Sequence, residues 1–366
     1  MKRYIYIIIF LLFGIGTAAG SEKLHIVADI MRGEMTSEGP VRMLEGNVHL
    51  RQGLANLYCN RARWYVDQHR TILEDSVKYD DGIKTLTAQK IIYNDTSRVL
   101  HAVGDVVLVD SIHTMFSDKA VYYDLSDRIT AQDNVIMLDN KNNVKLTGEY
   151  ANYLQETGYA IVEGNPVLIK MDSTGQEEIR VIGIKMELLE DSEMAMVTDS
   201  VKISHENGTA YCDTAIFNRS ESSLKLVGEP IVWQKYDRLT GDQIELYFHK
   251  NKLDTVFILG DAEVRSPVDT LDLTGKMNTL LGLKITLDIE ENKLGTVQVD
   301  GQATSQYYIF EKDAYKGVNK IIGDKILVTL KDRKIDKINI ESDPGSSTGV
   351  YYPPEVDTKY QADVKQ

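Results

Sequence analysis

Leu44-Glu45-Gly46-Asn47-Val48-His49-Leu50 returns 29 residues later as Leu73-Glu74-Asp75-Ser76-Val77-Lys78-Tyr79, and again as Ala102-Val103-Gly104-Asp105-Val106-Val107-Leu108. The pattern is apolar, any residue, Gly or Asp, a polar residue, a small apolar residue or Pro, any residue, apolar. Its core continues at Asp133-Asn134-Val135, Gly164-Asn165-Pro166, Asp199-Ser200-Val201, Gly228-Glu229-Pro230, Gly260-Asp261-Ala262 and Gly301-Gln302-Ala303. Successive anchors are 29, 29, 29, 31, 35, 29, 32 and 41 residues apart. A period in this range marks a stacked repeat, whose units complete one another's apolar core. The repeat predicts one extended domain over residues 22–342.

Each unit has a second half that alternates apolar and polar residues, as in Asn60-Arg61-Ala62-Arg63-Trp64, Asp118-Lys119-Ala120-Val121-Tyr122 and Asp213-Thr214-Ala215-Ile216-Phe217. Alternation over five residues is the pattern of a half-buried strand. The first half alternates too: two residues past the anchor stand Leu50, Tyr79, Leu108, Met137, Leu168, Ile203, Val232 and Val264. About nine two-strand units follow, and the fold class is all-β. The Gly-Asp, Gly-Asn and Asp-Ser pairs read as tight turns ahead of a strand. No stretch past the first 20 residues sustains a helical period, a Leu ladder of the leucine-rich kind is absent, and most units are too short for a four-stranded propeller blade. The pattern fits an elongated stack of strands with two facing sheets and an apolar seam between them.

The 366 residues carry a formal charge of −14, with 41 Lys and Arg against 55 Asp and Glu. An acidic chain without a basic cluster is a poor match for nucleic acid. Lys2-Arg3, an apolar run from Tyr4 to Phe13 and then Thr17-Ala18-Ala19-Gly20 have the layout of a secretory signal peptide over residues 1–20. Asp343-Pro344-Gly345-Ser346-Ser347-Thr348-Gly349 opens a stretch, residues 343–366, that reads as a disordered polar tail. Cys59 and Cys212 each stand 11 residues past an anchor, five units apart. At ~4.8 Å per strand that separation exceeds the reach of a disulfide. Two unpaired, buried thiols are expected.

The pairing of Gly-Asp-Val with a following Thr-Gly-Asp-x-Ile-x-Leu-Tyr is clearest at Leu239-Thr240-Gly241-Asp242-Gln243-Ile244-Glu245-Leu246-Tyr247 and Met115-Phe116-Ser117-Asp118-Lys119-Ala120-Val121-Tyr122-Tyr123. It resembles the OstA-like, or LptA-like, family of lipopolysaccharide export. The resemblance implies a β-jellyroll of mainly antiparallel strands, folded as an open V, in the periplasm. It implies a greasy trough for lipid A acyl chains, other Lpt-type export components at the inner and outer membrane as partners, and end-to-end self-association. The ladder residues expected to line that trough are Val48, Leu50, Val106, Leu108, Ala120, Tyr122, Met137, Tyr153, Leu168, Ile203, Phe217, Val232 and Ile244.

The recurrent acids Asp105, Asp118, Asp213, Asp242 and Asp324 occur once per unit, whereas catalytic acids of a polysaccharide-cleaving β-helix would be confined to one or two units. No nucleophile motif or metal-ligand spacing is present, so neither an enzyme nor a metal or cofactor site is expected. The contrasting reading is a scaffold or adhesin that binds no amphiphile and docks through its edge strands. The first unit, Leu24 to Leu50, and the last, Ile321 to Ile340, are the expected docking edges.

Overall fold

A computed structural model of the chain describes residues 23–189, 192–250, 252–268, 276–290, 293–311, 314–331, 334–354 and 356. The expected signal peptide and the end of the tail lie outside the described residues. The chain divides after Ala195 into two compact units, where the repeat alone predicts a single domain.

Unit 1 contains β1 (His25–Val27), β2 (Ile30–Thr36), β3 (Gly39–Gln52), β4 (Ala55–Tyr65), β5 (Arg70–Asp80), β6 (Thr85–Asn94) and β7 (Val99–Val109). It continues with β8 (His113–Tyr123), β9 (Arg128–Asp139), β10 (Val144–Leu154), β11 (Tyr159–Glu163), β12 (Val167–Met171), β13 (Glu177–Ile182) and β14 (Lys185–Leu189). The boundary falls two residues into β15 (Met194–His205), and unit 2 runs on through β16 (Gly208–Asn218), β17 (Ser223–Val227), β18 (Ile231–Gln234), β19 (Asp237–Thr240) and β20 (Gln243–His249). Its last strands are β21 (Lys252–Pro267), β22 (Met277–Glu290), β23 (Lys293–Glu311), β24 (Ala314–Lys331), β25 (Lys334–Glu341) and β26 (Thr348–Tyr352). From β3 to β10 each strand pairs antiparallel with the next. The all-β reading holds.

The nine repeat pairs are not hairpin turns. Seven sit in mid-strand, and Gly164-Asn165 and Gly228-Glu229 interrupt strands that continue along the same neighbour, β11 to β12 along β10 and β17 to β18 along β16. In β3 the residues Gly46 and Asn47 fall between the paired positions Glu45 and Val48, opposite Asn60 alone. Two residues facing one is a β-bulge, which bends its strand. Both residues of all nine pairs have positive φ, from 41° at Asp261 to 83° at Gly164. The same residue types serve a tight turn and a bulge, because both need positive φ, which explains the mistaken assignment. At Gly228, φ is +81° and an added Cβ would stand 2.5 Å from the Asp213 carboxylate. That position therefore admits Gly for two reasons.

The bulges fold the sheet over. On β4, Cys59 and Ala62 are three residues apart, so in a flat strand they would lie on opposite faces. Both are buried in one apolar cluster, and Cys212 and Ala215 of β16 repeat the arrangement in unit 2. The line of bulges is thus the apex of a fold that closes each unit's sheet on itself. The last residue of every anchor, Val48, Val77, Val106, Val135, Pro166, Val201, Pro230, Ala262 and Ala303, is buried. On the strand opposite runs a column of small residues: Cys59, Ala88, Ser117, Gly148, Gly183, Cys212, Gly241, Gly282 and Gly323. Space is short there, since a Cβ on Gly148 would meet Val162 at 2.6 Å and one on Gly282 would meet Val299 at 2.5 Å.

Two edges differ from expectation. Part of the supposed tail is β26, which pairs with β24 from Val318↔Tyr352 to Ile322↔Thr348 because Val350, Tyr351 and Tyr352 supply strand-forming residues. The outermost strands are β1 with β2, both paired to β3, and β25 with β26, both paired to β24. Val48 and Leu327 are therefore flanked on both sides and lie inside the sheet.

Candidate functional site

Two cross-strand rows run inside the folded sheet of unit 1, each just outward of the apex. The first passes through Leu50, Leu57, Tyr79, Leu86, Leu108, Met115, Met137, Leu146, Leu168 and Val181, each paired with the next. The second passes through Thr71, Tyr93, Leu100, Tyr122, Ile129, Tyr153 and Ala160. Burial changes along both. Leu50, Leu57, Tyr79 and Leu86 are 0% exposed, as are Thr71 and Tyr93, whereas Leu108, Met137, Leu146, Leu168, Ile129 and Tyr153 are half-buried.

The closed stretch is sealed by polar side chains. Gln52, at the end of β3, donates to the Asp95 carbonyl (3.1 Å) and accepts from the Tyr93 hydroxyl (2.5 Å). Tyr79 donates to Asp81 (3.1 Å) and lies 3.4 Å from the Asp124 carboxylate, and Tyr122 donates to Asp127 (3.1 Å). Lys84 is ion-paired with Asp127, and Arg98 Nε donates to Asp124 (2.6 Å). On a flat sheet Tyr79 and Asp124 would be at opposite strand ends, ~30 Å or more apart. Their contact shows the two lips of the fold meeting. Burial raises the pKa of both tyrosine hydroxyls, with the neighbouring carboxylates adding to it. Burial also raises Asp124, despite Arg98.

Unit 2 has the same two rows with the opposite trend. Ala210, Val232, Leu239, Val264, Leu280, Ser305 and Ile321 form one, and Phe217, Leu224, Leu246, Val256, Leu287, Val297 and Val328 the other. Ile203, Ala210, Phe217, Leu224, Val232 and Leu246 are half-buried, whereas Val256, Leu287, Val297 and Val328 are buried.

The residues expected to line a trough thus separate into three groups. Val48, Val106, Ala120 and Ile244 belong to the apex core, at 0–3% exposure. Leu50 and Tyr122 stand in the rows but under the seal. Leu108, Met137, Tyr153, Leu168, Ile203, Phe217 and Val232 are half-buried and remain the candidates for ligand contact. Leu146, Ala210, Leu224 and Leu246 belong with them by pairing. Their signal was present as alternation across hairpin partners, which a reading of one strand at a time passes over.

Carboxylates at the apex have local partners. Asn47 donates to Asp29 (2.9 Å), Gln89 to Asp105 (2.7 Å), Asn134 to Asp118 (2.8 Å) and Lys119 to Asp133 (2.7 Å), all on the exposed outer side. They brace bulges against neighbouring strands. No group of residues suited to hold a metal occurs among the described residues. Both cysteines are unpaired and buried, as expected, and burial pushes each thiol up to about 11.

Residues 114–252 match the family model described as LptA/(LptD N-terminal domain) LPS transport protein. The matched segment takes in most of the half-buried members of the rows in both units. Among solved structures the chain is similar to LptH of Pseudomonas aeruginosa, the LptA-homologous periplasmic component of the lipopolysaccharide transport device, at 18% identity. That similarity covers 44% of this chain and 97% of that one, with a TM-score of 0.28. No curated protein matches the chain.

Proposed function

We propose that the chain, whose residues 114–252 match the LptA/LptD N-terminal model of lipopolysaccharide transport proteins, holds lipid A acyl chains along its half-buried rows and passes them towards the outer membrane. The observation that carries the reading is the split between apex and rows. Two apex columns, the anchor residues and the positions from Ala62 and Ile91 to Ile285 and Ile326, are buried in all nine repeats and form a core, while most row residues of the matched segment stay apolar and only half-buried. An acyl chain laid on them would leave water at about 0.8 kcal/mol per CH₂.

The chain acts in the periplasm, with other Lpt-type components at the inner and outer membrane as partners. The outer sides of β1 and β2, with Val27 and Met35 63% and 78% exposed, and of β25 and β26, unpaired among the described residues, support end-to-end self-association by strand addition. Those edges equally support a scaffold that binds no amphiphile, and ligand binding separates the two.

Met137→Asp and Ile203→Asp place a charge on each unit's row at a half-buried position, and circular dichroism and the urea midpoint of each variant check that it is folded. Titration of purified protein with lipopolysaccharide should show binding to the parent chain and at least tenfold weaker binding to either variant. Absence of binding by the folded parent would leave the scaffold reading.

A further inference from the structure

We propose that Tyr79, Lys84, Arg98, Tyr122, Asp124 and Asp127 form a latch across the mouth of unit 1, which shuts the seam from Leu50 to Leu86 in one row and from Thr71 to Tyr122 in the other, and confines acyl chains in that unit to the rows from Leu108 and Ile129 onward until it parts. The proposal rests on the acyl-chain reading above and adds a gate to it.

Position carries the inference first. Tyr79 and Lys84 stand on one lip, at the end of β5 and the start of β6, and Tyr122, Asp124 and Asp127 on the other, at the end of β8 and the turn after it. The Lys84–Asp127 ion pair, the Tyr122–Asp127 hydrogen bond (3.1 Å) and the Tyr79–Asp124 contact (3.4 Å) all cross from lip to lip or lock a residue that does. The two tyrosine rings meet edge to face with centroids 5.6 Å apart, and Lys84 Nζ lies 5.1 Å from the centre of the Tyr122 ring.

Chemistry carries it second. A seam that needed only a core would be filled here with aliphatic residues, as it is at Leu57 and Leu86. Instead Lys84 is 9% exposed and Tyr79 0% exposed. An ion pair covered on its lysine side contributes little net stability compared with apolar packing, but loss of either partner leaves the other uncompensated, so the closed geometry depends on both. Covering follows the latch: the rows are closed where it spans them and half-buried from Leu108 and Ile129 onward, apart from Met115. Repetition supplies Tyr122 and Asp124, whose places one repeat earlier hold Tyr93 and Asp95, but not the other lip. The places of Tyr79 and Lys84 are taken by Leu50 and Ala55 one unit earlier, and by Leu108 and His113 one unit later.

The native thiols report the state of the latch. Cys59 lies in the cluster under it and Cys212 in the equivalent column of unit 2, at 6% and 7% exposure. The full chain is labelled with dodecyl maleimide and, in parallel, with a sulfonated maleimide. In Lys84→Met/Asp127→Asn, dodecyl maleimide should react with Cys59 at least tenfold faster than in the parent, with Cys212 unchanged and the sulfonated reagent still excluded. Tyr122→Phe, which removes one hydroxyl and keeps the ring, should give a smaller acceleration of the same kind. An unchanged Cys59 in both variants would overturn the latch. So would equal acceleration by both reagents, because the cluster would then merely support the fold. Capture of lipopolysaccharide by p-benzoylphenylalanine at Met137 of the parent tests acyl-chain binding separately, and its failure leaves the labelling result standing.

Discussion

Tyr79 in unit 1 and Ile203 in unit 2 hold the same place in the repeat, two residues past a buried valine on the mouth side of the fold, yet the first is 0% exposed and the second is half-buried. The difference does not come from the repeat, whose anchors Val77 and Val201 are both 1% exposed. It comes from what lies across the mouth. Tyr79 is covered by the side chains of Tyr122 and Asp124, and such a cover is specific to its rung. The comparison teaches that the fold is carried by the apex and that the rows outside it are free to vary between core and binding surface.

The largest expected effect comes from removing the covered residue. Tyr79→Ala should cost unit 1 about 3–5 kcal/mol, the range for deleting a buried aromatic ring, whereas Ile203→Ala should cost unit 2 about 1–2 kcal/mol because much of that side chain already meets water. Urea unfolding followed by emission of Trp64 or Trp233, each in a chain with the other tryptophan changed to Phe, measures the two separately. Equal losses would erase the distinction between the rows.

The apex should behave alike in both units. Cys59→Leu and Cys212→Leu overfill a column of small residues and should each cost about 1–3 kcal/mol, while Cys→Ala at either position should cost under about 1 kcal/mol. The same unfolding measurement decides it, and a tolerated Leu in one unit alone would show that the apex is not equivalent between them.

A smaller effect concerns acid. Burial pushes Asp110 up, but hydrogen bonds from His113 and from the backbone N–H groups of Ile112 and His113 outweigh it and leave the carboxyl lowered to about 2. A lowered folded-state pKa stabilises above the unfolded value, near 4, and the contribution is lost as pH falls through about 2. Unit 1 should therefore lose stability between pH 4 and 2, and Asp110→Asn should flatten that part of the curve. Smallest of all, Lys119→Gln removes an exposed ion pair with Asp133 and should leave the urea midpoint of unit 1 unchanged.

How much of this was legible in the sequence follows from what repeats. The anchor residues spell out the apex, and all nine are buried where the period places them. The bulge was hidden because Gly46-Asn47 or Asp75-Ser76 would suit a hairpin turn equally well. The fold-over was hidden because the residues that reveal it, Cys59, Ala88, Ser117 and Gly148, are small and carry no strong apolar signal, although their 29- and 31-residue spacing was there to be read. The latch left no signal at all. Its members are up to 48 residues apart in the chain, occur in one unit, and meet only once the sheet has folded.

The central claim is that the half-buried rows, and not the whole apolar seam, face the ligand. In-cell photo-crosslinking with p-benzoylphenylalanine at Leu108, which packs against the core of unit 1 at the edge of the closed stretch, and at its neighbour Val107 tests it most directly. A lipopolysaccharide adduct at Leu108 and none at Val107 is the predicted result; capture at neither position by a folded, exported protein, or at both alike, would contradict it.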